Sequence, residues 1–280
     1  MNNIVLNIKD IVEIKELASE TRQAFGMSEG IPIANDMRML LNKQGIILCE
    51  YPFADDSRID AEIVRFEMDD KPLIFIGLNS SLYYDEQIFA LAHEIYHFKT
   101  RTGKAFSDKD IDDIKLEKKA DRFAAELLLP EGVLKKSVVM EFGGESISDT
   151  NILRVLRFIA SLQSCWWLPY RSIVLRLLEE KLIDQLLFDR LYKYDPRNEE
   201  DDYYKILNAV DSNIAKMLNS KTEKISVSNK VIDAIIRNYE DGYISEDDFV
   251  SILEVFKISP SDYGYDMESF DFDEDYNTED

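Results

Sequence analysis

Glu86-Gln87-Ile88-Phe89-Ala90-Leu91-Ala92-His93-Glu94-Ile95-Tyr96-His97 is the stretch on which the fold turns. The run up to Ala92 is apolar and free of Gly and Pro, which predicts a buried helix leading into the two histidines. On such a helix His93 and His97 project from one face, about one turn apart, and both rings can reach a single metal ion. Glu94 lies roughly 100° around the helix from His93, beside that metal without having to bind it. The chain contains only two histidines, and both stand at these two positions.

The spacing is the H-E-x-x-H pattern of zinc peptidases, in which neutral imidazoles hold Zn²⁺ and the glutamate takes a proton from the attacking water. Two histidines do not complete such a site, because a catalytic zinc takes three protein ligands and keeps its fourth position open. The sequence offers no third histidine, and Cys49 and Cys165 stand far apart in apolar settings and outside any CxxC pair. They read as buried free thiols of a reducing compartment. A carboxylate is left, and Glu117 and Asp121 stand out in the apolar-periodic segment 116–129. Like charges four apart on one helix face repel unless they share a cation. Glu117 therefore reads as the third ligand and Asp121 as the acceptor of a ligand histidine's spare N–H. The competing reading, a solvated glutamate among lysines, is set aside because the same helix must pack its apolar run inward.

Outward from the motif, residues 10–25 have helical spacing and end at Gly26, and a second helix is predicted over 33–44, closed by Gly45. The β-forming run 46–51 predicts a strand. The alternating stretch 62–68 and the apolar run 73–78 predict a hairpin. Asp85 is placed to cap the motif helix. Small residues at Ala120, Ala124 and Ala125 predict close packing of the 116–129 helix on the motif helix, and Pro130 stops it. Beyond Pro130 the periodicity is helical, over 133–142, 151–162, 169–180, 183–192, 203–218, 231–239 and 246–256. The charged, Pro-containing run 195–202 is the best interior boundary.

The formal net charge of −22 argues against direct nucleic-acid binding and against an anionic membrane surface, and it favours a basic partner. No run of eighteen apolar residues and no signal-like amino end is present, so the expected location is the cytoplasm. Residues 163–178 have the rhythm of a turn and a recognition helix, with Arg171 and Arg176 as phosphate contacts. The favoured reading is instead a helical subdomain with Trp166 and Trp167 in its core. Residues 261–280 hold nine acids and no lysine or arginine, which predicts a disordered acidic tail able to occupy a basic protein surface as a nucleic-acid strand would.

Phe89-Ala90-Leu91-Ala92-His93-Glu94-Ile95-Tyr96-His97, followed by Glu117-Lys118-Lys119-Ala120-Asp121-Arg122-Phe123-Ala124-Ala125-Glu126-Leu127-Leu128-Leu129-Pro130, resembles the ImmA/IrrE family of zinc metallopeptidases, which are gluzincin-like. Leu40-Leu41-Asn42-Lys43-Gln44-Gly45-Ile46-Ile47-Leu48 and the hairpin resemble the family's amino-terminal portion. The likeness covers residues 33–130 and extends weakly to about 185. It implies zinc bound by His93, His97 and Glu117, Glu94 as general base, and Asp121 orienting a ligand histidine. It also implies a cytoplasmic protease that cleaves a helix-turn-helix repressor of a mobile element or stress response. Tyr96 departs from the family, where glycine is common, and its bulk is expected to narrow the approach to the metal.

The expected fold is α+β: a zincin-like peptidase domain at 1–135 with a small three-stranded or larger mixed sheet, helical segments at 136–195 and 196–260, and the tail at 261–280. Tyr51, Tyr83, Tyr84 and Tyr170 are the candidates to stabilise the oxyanion, and the sheet edge could take substrate as an added strand. The alternative function is a non-proteolytic, metal-stabilised binding protein, like an antitoxin or inhibitor, whose acidic carboxy-terminal part sequesters a basic partner.

Overall fold

The computed structural model describes residues 6–54, 57–67, 72–102, 111–147 and 151–265. The first helical pattern becomes α1 (Ile8–Ala24), started by a reciprocal cap in which Asn7 Oδ1 accepts from the Asp10 N–H at 2.9 Å and Asp10 accepts from the Asn7 N–H at 3.2 Å. The second is shorter than its pattern: Ala34–Asp36 forms a 3₁₀ turn and α2 spans Met37–Lys43. Gly45, at φ 78°, then turns the chain into β1 (Ile47–Tyr51).

β2 (Ala61–Phe66) and β3 (Leu73–Asn79) form the predicted antiparallel hairpin, Ile63 opposite Ile76. β1 lies parallel to β3 on its other side, with Ile47 opposite Phe75, so the sheet is mixed. β3 is thus flanked by strands on both sides, and its apolar run buries Ile76 and Leu78 completely.

α3 (Tyr84–Thr100) carries the motif and packs on β2 and β3 with one face and on α4 (Ile111–Leu128) with another. α1 covers the far side of α4. Ala120 and Ala124 are fully buried, as expected of small residues where helices approach closely, and Leu128 ends α4 two residues before Pro130. The cap of α3 differs from the expectation. Tyr83 is its N-cap, and Asp85 sits within the first turn, fully buried, its carboxylate ion-paired with Arg197 at 2.6 Å and accepting from Gln163 Nε2 at 3.0 Å.

The rest of this part is helical: α5 (Glu131–Phe142), α6 (Ile152–Trp166), α7 (Tyr170–Glu179), α8 (Gln185–Leu191), α9 (Asp202–Val210) and α10 (Ser212–Leu218). The single pattern over 203–218 divides because Asp211 adopts extended backbone and caps α10 with its own side chain. Trp166 and Trp167 are buried. Arg176 is buried too, bound to Glu126 at 2.7 Å and to the Leu129 carbonyl, so it does not face a phosphate. Both cysteines are free, and Cys165 is exposed rather than buried, since α6 turns Leu162 and Trp166 inward and leaves Cys165 on its outer face.

The chain divides into two compact units, 1–224 and 225–280. The first contains both expected breaks, at 135 and at 195. In the second, α11 (Asn229–Glu240) and α12 (Glu246–Val255) enclose Ile232, Phe249 and Leu253, with Tyr239 stacked on Phe249 at 4.3 Å. The expected acidic tail falls, from residue 266 on, outside the described residues. Among those described, no helix is long and apolar enough to cross a membrane.

Candidate metal centre

α3 and α4 bring three side chains to one point. His93 Nε2 and His97 Nε2 lie 3.1 Å apart, Glu117 Oε2 lies 3.2 Å from the former, and its Oε1 lies 3.7 Å from the latter. One donor atom from each of the three residues falls within 4.8 Å of the others. Two ligands on one tetrahedral zinc, each at about 2.0–2.1 Å, stand ~3.3 Å apart, which is close to the separation of the two Nε2 atoms and to the approach of a Glu117 oxygen to each of them. Two imidazole lone pairs and a carboxylate held so near each other repel unless a proton or a cation lies among them. The residues present therefore fit a small divalent metal.

The opposite ring nitrogens are also held. Asp121 Oδ1 lies 2.9 Å from His93 Nδ1, and Thr102 Oγ1 lies 3.1 Å from His97 Nδ1. Burial opposes charge on His93, but hydrogen bonds to Asp121 and Glu117 overcome it and hold its pKa well above the usual imidazole value. Burial and the neighbouring His93 charge push His97 the other way. The helix end that carries these rings is pinned from the sheet, where Arg65 of β2 donates to the carbonyls of His97 at 2.9 Å and Phe98 at 2.8 Å.

Glu94 is 5% exposed. Burial raises its pKa to about 7, opposed by the His93 charge and a backbone hydrogen bond from Ile63, and reinforced by Glu117. A carboxylate poised near neutrality beside a metal position is suited to moving protons. Residues 54–139, from the approach to β2 into α5, match a known peptidase family, the IrrE N-terminal-like domain.

This segment is similar to the IrrE N-terminal-like domain.

The resemblance to ImmA/IrrE proteins is borne out over that span, which contains His93, Glu94, His97, Glu117 and Asp121. No curated protein matches the chain at a significant level. Within this segment the Tyr96 ring meets that of His97 edge-on, their centroids 5.7 Å apart. Its ring is buried in the core, 5.5 Å from that of Phe123, and the charges of Asp10 and Glu13 add to burial in raising its pKa.

Three of the four tyrosines proposed for the oxyanion have other partners. Tyr83 lies under the Arg197 guanidinium at 4.1 Å, and the Tyr84 hydroxyl accepts from Arg38 at 3.0 Å. Both precede His93 by nine or ten residues, about 14 Å along the helix axis. Tyr170 is buried, its hydroxyl donating to the Leu191 carbonyl at 2.8 Å, and Tyr51 ends β1 half exposed. Sequence reasoning missed Thr102 and Arg65, whose roles arise from a helix end and a strand that meet only in the fold.

Proposed function

We propose that the chain is a cytoplasmic, zinc-dependent endopeptidase of zincin-like fold whose substrate is a helix-turn-helix repressor of a mobile element or stress response. The observation that carries this reading is the convergence of His93, His97 and Glu117 on one point with Glu94 buried beside it. A purely structural metal site has no use for that glutamate.

Bound at the three donors, zinc would act as a Lewis acid, acidifying water to a pKa near about 7 and polarising a carbonyl. Glu94 takes the proton of the attacking water on its carboxylate and later returns it to the leaving amine. Its value of about 7 lets it do both near neutral pH. Asp121 holds the His93 ring through Nδ1, and α4 brings Glu117 to the histidines across the helix interface. β2, at the edge of the sheet, offers main-chain groups to an extended substrate segment, so that affinity comes from the backbone and selectivity from alternate side chains.

The test uses the full-length, zinc-loaded protein and the DNA-binding protein encoded beside it. Cleavage by wild type that is lost in Glu94→Gln, with zinc retained, is the expected result. Stoichiometric binding without cleavage would overturn the peptidase reading in favour of a metal-stabilised sequestering protein.

A further inference from the structure

His97 can offer Nε2 to a metal only if its proton resides on Nδ1. For His93 that arrangement is enforced by Asp121, because a carboxylate 2.9 Å away can only accept. Among the described residues, none places a carboxylate at His97 Nδ1. Its neighbour is the Thr102 hydroxyl at 3.1 Å, which can donate or accept, so the outcome depends on what lies beyond it. Thr102 Oγ1 is 2.6 Å from Thr100 Oγ1, and Thr100 Oγ1 is 2.8 Å from the backbone carbonyl of Tyr96.

A carbonyl only accepts, and this one gives the chain a direction. Thr100 spends its single hydrogen on Tyr96 and must accept from Thr102. Thr102 spends its own on Thr100 and must accept from His97. We propose that Thr102 and Thr100 form a one-way hydrogen-bond relay, from His97 Nδ1–H through both hydroxyls to the Tyr96 carbonyl, that fixes the tautomer and ring orientation of His97. Thr102 is thus a positioning residue for the metal centre. The proposal rests on reading His93, His97 and Glu117 as that centre.

The backbone builds the relay. Arg101 takes the left-handed conformation at φ 55° and ends α3, with its own N–H and that of Thr102 both donating to the His97 carbonyl. This turn folds Thr102 back alongside the ring it contacts, and Arg65 clamps the same carbonyl from β2. On the opposite side His97 Nε2 faces His93 Nε2 at 3.1 Å, so the other tautomer would aim a proton into the space where the metal belongs.

The test measures zinc affinity of the metal-stripped, full-length chain by competition with a chromophoric chelator, and reads the His97 tautomer of the metal-free protein from side-chain nitrogen shifts by NMR. Wild type and Thr102→Ser should show the Nδ1–H form and bind zinc within a few-fold of each other. Thr102→Val should lose the tautomer preference and about 10–100-fold in zinc affinity, the usual cost of removing a partner that orients a ligand. Thr100→Val should also populate the Nε2–H form, because Thr102 is then free to donate. Wild type with the proton on Nε2, or Thr102→Val binding zinc as tightly as wild type, would overturn this role alone. Wild type that takes up no zinc would overturn the metal-centre reading and this role with it. If Thr102→Val does not fold, Thr102→Ser and the wild-type tautomer still decide the matter.

Discussion

Glu94 has to be buried enough to keep its proton near neutrality and close enough to a cation to release it, and its neighbours His93 and Glu117 pull in those two directions. Replacing it with glutamine keeps the volume and removes the base. Cleavage should fall by about 10²–10⁴-fold while bound zinc, measured by elemental analysis, stays at the wild-type level. Asp121 acts one step further out. Asp121→Ala should weaken zinc by about 10–100-fold in chelator competition, and an unchanged affinity would remove Asp121 from the site. Tyr96 turns its bulk into the core. Because its ring is packed on Phe123 in the core, Tyr96→Ala should open a cavity and cost about 3–5 kcal/mol in urea unfolding. It should not open the site, so a gain in cleavage at unchanged stability would contradict the packing seen here.

At the scale of elements, the site depends on α4 being held at one height against α3, and α1 supplies part of that hold. Asp10, buried at the start of α1, takes hydrogen bonds from Lys119 and then Lys115 of α4, and these hold its carboxyl well below the usual carboxylate range. A depressed carboxyl contributes stability above its unfolded pKa and loses it as the pH falls through the folded value. Asp10→Asn should therefore be less stable than wild type by about 1–2 kcal/mol at pH 7, the sum of a weakened cap and two partly exposed ion pairs. The difference should shrink as the pH drops below about 4. Urea denaturation of both proteins across pH 3–7 checks it, and a gap independent of pH would assign the loss to the cap alone.

At the scale of the whole first unit, the helices α6 to α9 are tied to the motif helix through a buried ion pair. Arg197, in the segment between α8 and α9, reaches Asp85 and Glu86 in the first turn of α3, while Tyr203 of α9 donates to Gln163, which in turn donates to Asp85. Burial pushes Asp85 up to about 6 in spite of Arg197. Removing the arginine leaves a carboxylate with 0% exposure short of its countercharge, so Arg197→Ala should cost about 3–5 kcal/mol near pH 8. A carboxyl whose folded pKa is raised favours the folded state at low pH and loses that advantage as the pH climbs through about 6. The penalty should accordingly ease below that pH as Asp85 takes up a proton. A chain ending at 195, where the sequence offers a boundary, removes Arg197 and Tyr203 together and should not unfold cooperatively.

His93, Glu94 and His97 were legible because a helix repeats every 3.6 residues, so spacing alone puts two rings on one face. The hairpin was legible for the same kind of reason, since alternation with a period of two marks a half-buried strand and a continuous apolar run marks one enclosed by neighbours. Glu117 and Asp121 could be proposed from their shared helix face, but only the packing of α4 on α3 places them at His93. Tertiary structure alone decided the rest. β1 lies parallel to β3, Tyr96 turns into the core, Asp85 pairs with Arg197 instead of capping its helix, and Thr102 folds back on His97. Periodicity reports which face of an element is buried and is silent on which residue of another element meets it. That is set by how the faces pack, across a separation of 112 residues in the case of Asp85 and Arg197.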